Sequence, residues 1–147
     1  MFNSTVLYSL KVIIFTLIVA AVSIPVVKKI AVHVNALDVP NERKVHTKPM
    51  PRLGGLGIFF AFLVGYMFFG QNTIQMNSIL IGSFIILLTG IIDDIKPLNA
   101  KDKLVGQILS ASVIAFYGQI LLSELTAFGL VINFGYFAYP ITIIFIV

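Results

Sequence analysis

From Leu53 to Ile92 the chain runs for forty residues without one charged side chain. A helix that crosses a membrane needs roughly 20 apolar residues. The run is therefore too long for one such helix and sufficient for two. A polar break, GQNTIQMN (Gly70 to Asn77), divides it, which predicts helices over about 54–70 and 77–92. Thr5 to Val27 is apolar except for Lys11, whose stem can snorkel towards an interface. Leu104 to Ser123 is a fourth apolar stretch, and Tyr139 to Val147 reads as the beginning of a fifth. Charged residues make up only 11% of the chain, against about 25% in soluble domains. The expected fold is all-α: a polytopic helical membrane bundle in one domain over residues 1–147. It would have four full transmembrane helices (about 5–27, 54–70, 77–92 and 104–123) and an incomplete one at 139–147. Between the fourth and fifth, GLVINFG (Gly129 to Gly135) alternates apolar and polar residues, as a short external hairpin does.

The basic residues fix an orientation. Lys28, Lys29, Arg43, Lys44, Lys48 and Arg52 lie between the first two spans, and Lys96, Lys101 and Lys103 between the third and fourth. The other connections carry no basic residue. By the positive-inside rule, loops 28–53 and 93–103 are cytoplasmic and the amino terminus is outside. The net charge of +4 reports this orientation rather than a nucleic-acid partner. Ala21-Val22-Ser23 has the form of a signal-peptidase site. The apolar run nevertheless continues to Val27 and ends in Lys28-Lys29, which favours a retained span. The chain has no cysteine, which excludes disulfides and thiolate metal sites.

The first cytoplasmic loop reads DVPNERKVHTKPMPRLGG, Asp38 to Gly55. Pro40, Pro49 and Pro51 forbid a continuous helix. Gly54-Gly55 permits an unusual turn or a close backbone approach at the start of the second span. Two readings stand side by side: a solvated basic loop that fixes topology and touches anionic lipid, and a stiffened platform for a phosphate or diphosphate. For the second, Arg supplies a planar fork of donors and Lys a point charge. His46 is either a proton carrier or an ordinary hydrogen-bonding loop residue.

The uncharged run stops at two adjacent carboxylates, Asp93 and Asp94, in IIDDIKPLNAKDK. A sixteen-residue helix over 77–92 would be about 24 Å long, short of the ~30 Å hydrocarbon core, so the pair would sit near the headgroup boundary. Neighbours on a helix point about 100° apart. One aspartate can face a metal while the other turns to a lysine or second ligand. Pro97 breaks the preceding element, and Asn99 with Asp102 three residues on reads as the cap of the next helix. Lys101 and Lys103 then occupy its first turn, the wrong end for cations against the helix dipole. Either the aspartates merely end a span and pair with these lysines, or their hard oxygens hold Mg²⁺ with a phosphate, Mn²⁺ being the alternative ion.

Together, DVPNERKVHTKPMPRLGG and IIDDIKPLNAKDKLVGQ closely resemble the polyprenyl-phosphate N-acetylhexosamine-1-phosphate transferases (glycosyltransferase family 4). The likeness is greatest to the bacterial undecaprenyl-phosphate N-acetylglucosaminyl 1-phosphate transferases that begin teichoic acid or surface polysaccharide synthesis. The phospho-N-acetylmuramoyl-pentapeptide transferases are more distant. The resemblance covers the whole chain but only the front half of the family's pattern. It implies a multi-pass enzyme of the bacterial plasma membrane that takes UDP-N-acetylglucosamine and undecaprenyl phosphate as substrates. Asp93 and Asp94 match the family's Mg²⁺ and catalytic pair. His46, Lys48 and Arg52 match its basic loop, and Lys103 and Gln107 its Lys-Leu-x-x-Gln pattern. The family continues past its fifth helix with an Asn- and Asp-rich motif and a histidine-bearing loop. The sequence stops at Val147, before either, so a fragment or truncated product, inactive in isolation, is also expected. A non-catalytic lipid-phosphate-binding membrane protein is a further alternative. A small transporter is a weaker one, because among the ionisable residues only Lys11 lies near mid-span depth.

Overall fold

A computed structural model describes residues 4–38, 49–127 and 130–147. In chain order the elements are α1 (Ser4–His33), β1 (Leu37–Asp38), β2 (Met50–Pro51), α2 (Gly54–Phe69), α3 (Ile74–Ile95) and α4 (Ala100–Ser112). A π-helical turn (Val113–Tyr117) follows α4. Then come β3 (Glu124–Ala127), β4 (Leu130–Asn133), a 3₁₀ turn (Gly135–Phe137) and α5 (Ala138–Ile146). The chain divides into two compact units: Met1–Gln71 with Gly90–Pro97, and Asn72–Thr89 with Leu98–Val147. α3 passes from the second unit into the first.

Among the described residues the burial pattern inverts that of a soluble domain. The buried positions are mostly small: Ala31, Ala36, Ala61, Ala111, Ala115 and Ala138, with Ser78, Ser110 and Thr142. Large apolar side chains point outwards on every long helix, as at Leu17 (64% exposed), Met67 (74%) and Ile144 (77%). Contiguous apolar surface on this scale is unstable in water. Small residues inside with large ones outside is how helices pack in lipid, where close backbone approach replaces the hydrophobic drive.

In the first unit, α1 and α2 meet along two columns of small residues. Gly57, Ala61 and Gly65 recur every fourth position on α2, and Ser23, Val27 and Ala31 are the buried residues of α1. A Cβ at Gly57 would stand 3.1 Å from Ser23 Oγ, and one at Gly65 would collide with the Thr16 side chain. Gly54, by contrast, has nothing within 4 Å of an added Cβ and no positive φ. The close approach expected at Gly54 occurs one helical turn later, at Gly57.

In the second unit, α3 and α4 run antiparallel. Gly118 lies against Ser78, Gly82 against Ile114, and Gly106 against Thr89. Ser110 Oγ donates to the Gly82 carbonyl at 2.8 Å. β3 and β4 pair antiparallel, from Glu124 opposite Asn133 to Ala127 opposite Leu130. α5 is fastened by Thr142, whose Oγ1 accepts the Leu122 N–H at 2.8 Å and donates to the Ala138 carbonyl at 2.6 Å. Phe116 stacks on Tyr139 at 5.0 Å.

The helices differ in their bounds from the expected spans. Among the described residues α1 and α3 are the helices long and apolar enough to cross a membrane; α2 and the stretch Gly135–Ile146 are shorter apolar helices. α2 has sixteen residues because Gly70 turns extended, at φ −79° and ψ 157°. α3 has twenty-two residues rather than sixteen, a length of about 33 Å. Its start is set by Thr73, whose hydroxyl accepts the Met76 N–H at 3.1 Å, while Asn77 Nδ2 donates to Asn72 Oδ1 at 2.9 Å. The polar break is thus a helix cap and first turn. The fourth helix does not reach Ser123: it begins at Ala100, and its wide turn ends at Tyr117. Gln119 follows with φ 51°, a left-handed conformation that stops the helix.

Candidate active site

The first loop is closed at its base by a helix end and a strand pair. α1 finishes in a Schellman motif: Asn35 is left-handed at φ 56°, its N–H bonds the Val32 carbonyl at 3.3 Å, and the Ala36 N–H bonds the Ala31 carbonyl at 2.9 Å. Asn tolerates this conformation better than most residues. The motif brings Ala31 and Ala36 together, both fully buried, in one cluster with Val27 and Leu53. The chain then reverses, and β1 pairs antiparallel with β2, Leu37 opposite Pro51 and Asp38 opposite Met50. Arg52 N–H donates to the Ala36 carbonyl at 3.0 Å, and the Arg52 guanidinium forms an ion pair with the Asp38 carboxylate. The predicted positions His46 and Lys48 lie outside the described residues.

Asp93 and Asp94 occupy the last turn of α3, inside the helix rather than beyond it. Both are half-buried. Ile91, two residues before Asp93, packs against the cluster of Val27, Ala31, Ala36 and Leu53. The turn that carries the acid pair and the neck that carries Arg52 therefore rest on one core. No basic residue lies in the last turn of α3. The carboxyl end of a helix already carries about half a negative charge, and two carboxylates there add to it. A sequence shaped for helix stability alone would place lysine at this end. The hard oxygen donors and the local negative potential both suit a divalent cation. Among the described residues no group of three His, Asp or Glu side chains gathers to form a metal cage. Mg²⁺ does not require one, since it is commonly held by one or two carboxylates, waters and substrate phosphate.

α4 opens differently. Asn99 is extended at the cap position but makes no side-chain capping bond. Its backbone carbonyl accepts the N–H groups of Asp102 (3.1 Å) and Lys103 (3.2 Å), the ordinary first bonds of a helix, so the Asn99 half of the expected capping box is not formed. Lys101 and Lys103 stand in the first turn, where the helix dipole is positive. Cationic side chains at the positive end of a helix attract an anion such as phosphate. Sequence reasoning singled out Arg52 and missed its partner Asp38. The available signal was an acid and a base at the two ends of one proline-rich loop. Thr73 and Ile91, which set where α3 starts and where its acidic end docks, were also missed.

Residues 76–147 match the family described as glycosyl transferase family 4. Over 142 residues the chain is 37% identical to a probable undecaprenyl-phosphate N-acetylglucosaminyl 1-phosphate transferase of Bacillus subtilis (strain 168), a match covering 91% of this chain and 38% of the relative. Over 102 residues it is 34% identical to a decaprenyl-phosphate N-acetylglucosaminephosphotransferase of Mycobacterium tuberculosis (strain ATCC 25618 / H37Rv), covering 63% of this chain and 25% of the relative. The protein of that name from Mycolicibacterium smegmatis is 31% identical over 101 residues, with the same coverage. The chain thus spans well under half the length of these relatives. No solved structure matches it.

Proposed function

We propose, given that the chain belongs to glycosyl transferase family 4, that it carries part of the catalytic face of a glycosyl-1-phosphate transferase. The reaction is transfer of N-acetylglucosamine-1-phosphate from UDP-N-acetylglucosamine to undecaprenyl phosphate, releasing UMP. It would be the first membrane step towards a cell-wall polymer such as teichoic acid or a surface polysaccharide. The single observation that carries this reading is the acidic doublet at the end of α3, docked through Ile91 on the core that holds the neck of the basic loop.

An oxygen of the lipid phosphate attacks the sugar-linked phosphorus of the donor. The bond from that phosphorus to the bridging oxygen breaks, and UMP leaves with the electron pair. Both reactants are anions, so charge repulsion is the main barrier. A phosphate monoester has its second pKa near 6, so the attacking phosphate is mostly dianionic at neutral pH and needs no base. Asp93 and Asp94 therefore act as metal ligands, with proton removal secondary. Mg²⁺, or Mn²⁺ in its place, when bound supplies charge stabilisation on the transferring phosphoryl group. Lys103, in the first turn of α4, contacts phosphate. Arg52 has five N–H donors and can offer phosphate those not engaged by Asp38. His46 and Lys48 complete the basic set. Loops 28–53 and 93–103 face the cytoplasm of a bacterial plasma membrane, where the sugar nucleotide is made, and the amino terminus lies outside. The distribution of lysine and arginine supports that orientation.

The test is a transfer assay in membranes containing the protein, with radiolabelled UDP-N-acetylglucosamine and added undecaprenyl phosphate. Label entering the lipid fraction, dependent on Mg²⁺, supports the reading. Absence of transfer with retained binding of the lipid phosphate would favour the non-catalytic alternative. Absence of both would favour an inactive fragment.

A further inference from the structure

We infer that Asp38 is a positioning residue: its carboxylate latches the neck of the basic loop and aims the Arg52 guanidinium, so that this cation is presented from the same core as the acidic doublet. The functional half of this inference rests on the transferase reading above; the latch itself does not.

Among the described residues the neck is a short structure. β1 and β2 are two residues each, and a ladder of that length is not self-supporting. Pro51 lacks an N–H, which removes one of the few ladder donors. Among the described residues it is fastened by the Arg52 N–H bond to the Ala36 carbonyl, the burial of Leu53 at 3% exposure, and the Arg52–Asp38 pair. Asp38 is on the outgoing strand and Arg52 follows the returning one, so the pair closes the loop from both sides. Residues 39–49 between them include Arg43, Lys44, His46 and Lys48. An unheld arginine samples many rotamers and loses that freedom on binding. With Asp38 gripping part of its fork, Arg52 presents its other N–H groups from a fixed place. The neck core is also the one on which Ile91 docks, two residues before Asp93, so opening the neck loosens the registry between Arg52 and the anionic turn.

The absence of native cysteine makes the neck directly measurable. Leu37 and Pro51 are cross-strand partners, and Cα atoms so paired are close enough for a disulfide. Leu37→Cys with Pro51→Cys should crosslink rapidly under mild oxidation in membranes, read by non-reducing peptide mass mapping. Partly exposed ion pairs shift an equilibrium by about 1.4- to 5-fold. Asp38→Asn or Arg52→Gln should therefore slow crosslinking by about 2- to 5-fold. The exchange Asp38→Arg with Arg52→Asp should restore it. In the transfer assay Asp38→Asn should raise KM for the sugar nucleotide by a similar factor with kcat unchanged, and Asp38→Glu should recover most of the loss. Crosslinking indifferent to both single substitutions overturns the latch. Slower crosslinking with an unmoved KM overturns the positioning role. A parent protein that transfers nothing removes the transferase reading and with it the positioning role, while the crosslinking series still decides the latch.

Discussion

Replacing Gly65 with alanine adds one methyl group where α2 crosses α1. The new Cβ would collide with Cγ2 of Thr16. Thr16 cannot easily turn its methyl away, because its Oγ1 bonds the carbonyls of Val12 at 2.9 Å and Ile13 at 3.0 Å. Rotation forfeits that hydroxyl's bonding, at about 1 kcal/mol. Moving the helices apart instead is an overpacking cost of about 1–3 kcal/mol. Against this, alanine gains about 0.8–1 kcal/mol of helix propensity over glycine. Gly90→Ala in α3 isolates the gain, since nothing lies within 4 Å of a Cβ there. The gap between the two variants should thus be about 1–3 kcal/mol, or about 2–12 °C in Tm at roughly 2–4 °C per kcal/mol for a chain of this size. The assay is thermal unfolding of the purified protein in mild detergent, followed by light scattering. Adding Thr16→Ser to Gly65→Ala removes the offending methyl, keeps the hydroxyl, and should recover most of the loss. Equal melting of Gly65→Ala and Gly90→Ala, or no rescue by Thr16→Ser, would refute the close contact between α1 and α2.

Further outcomes are expected. Asp93→Asn and Asp94→Asn should each lower transfer by about 10²-fold or more, and near-normal turnover in either removes that aspartate from the metal site. Thr73→Ala should cost about 1 kcal/mol of helix-end stability, seen as about fivefold faster amide exchange at residues 74–77. Lys103→Gln should raise KM for one of the two anionic substrates, and no change in either KM or in kcat would leave Lys103 a topological role alone.

The acidic doublet and the helices around it were legible because charge and apolarity change abruptly there. α2 was placed to within a residue, since Arg52 and Gly70 bound a continuous apolar run. The start of α3 was hidden. Ile74, Gln75 and Met76 read as part of the polar break, yet Thr73 caps a helix that contains them, and a polar first turn is compatible with a buried one after it. The end of α4 was hidden for the opposite reason: apolar residues resume from Ile120 to Leu122, so the short Gly118-Gln119 interruption that marks the stop was read as part of the span. The neck was invisible to periodicity because it joins residues fourteen apart through two-residue strands. Asp38 was not legible at all until its partner was seen.

The wide turn at the end of α4 has a consequence for which side chains face α3. Gly106 and Ser110 are contact positions, and regular winding would carry that face on to Tyr117, seven residues after Ser110. One surplus residue in the turn delays the winding by about 100°. Tyr117 swings out, 51% exposed, and Gly118 takes the inward place against Ser78. The backbone has in effect absorbed a one-residue insertion and converted it into a swap of a tyrosine for a glycine at the contact with Ser78.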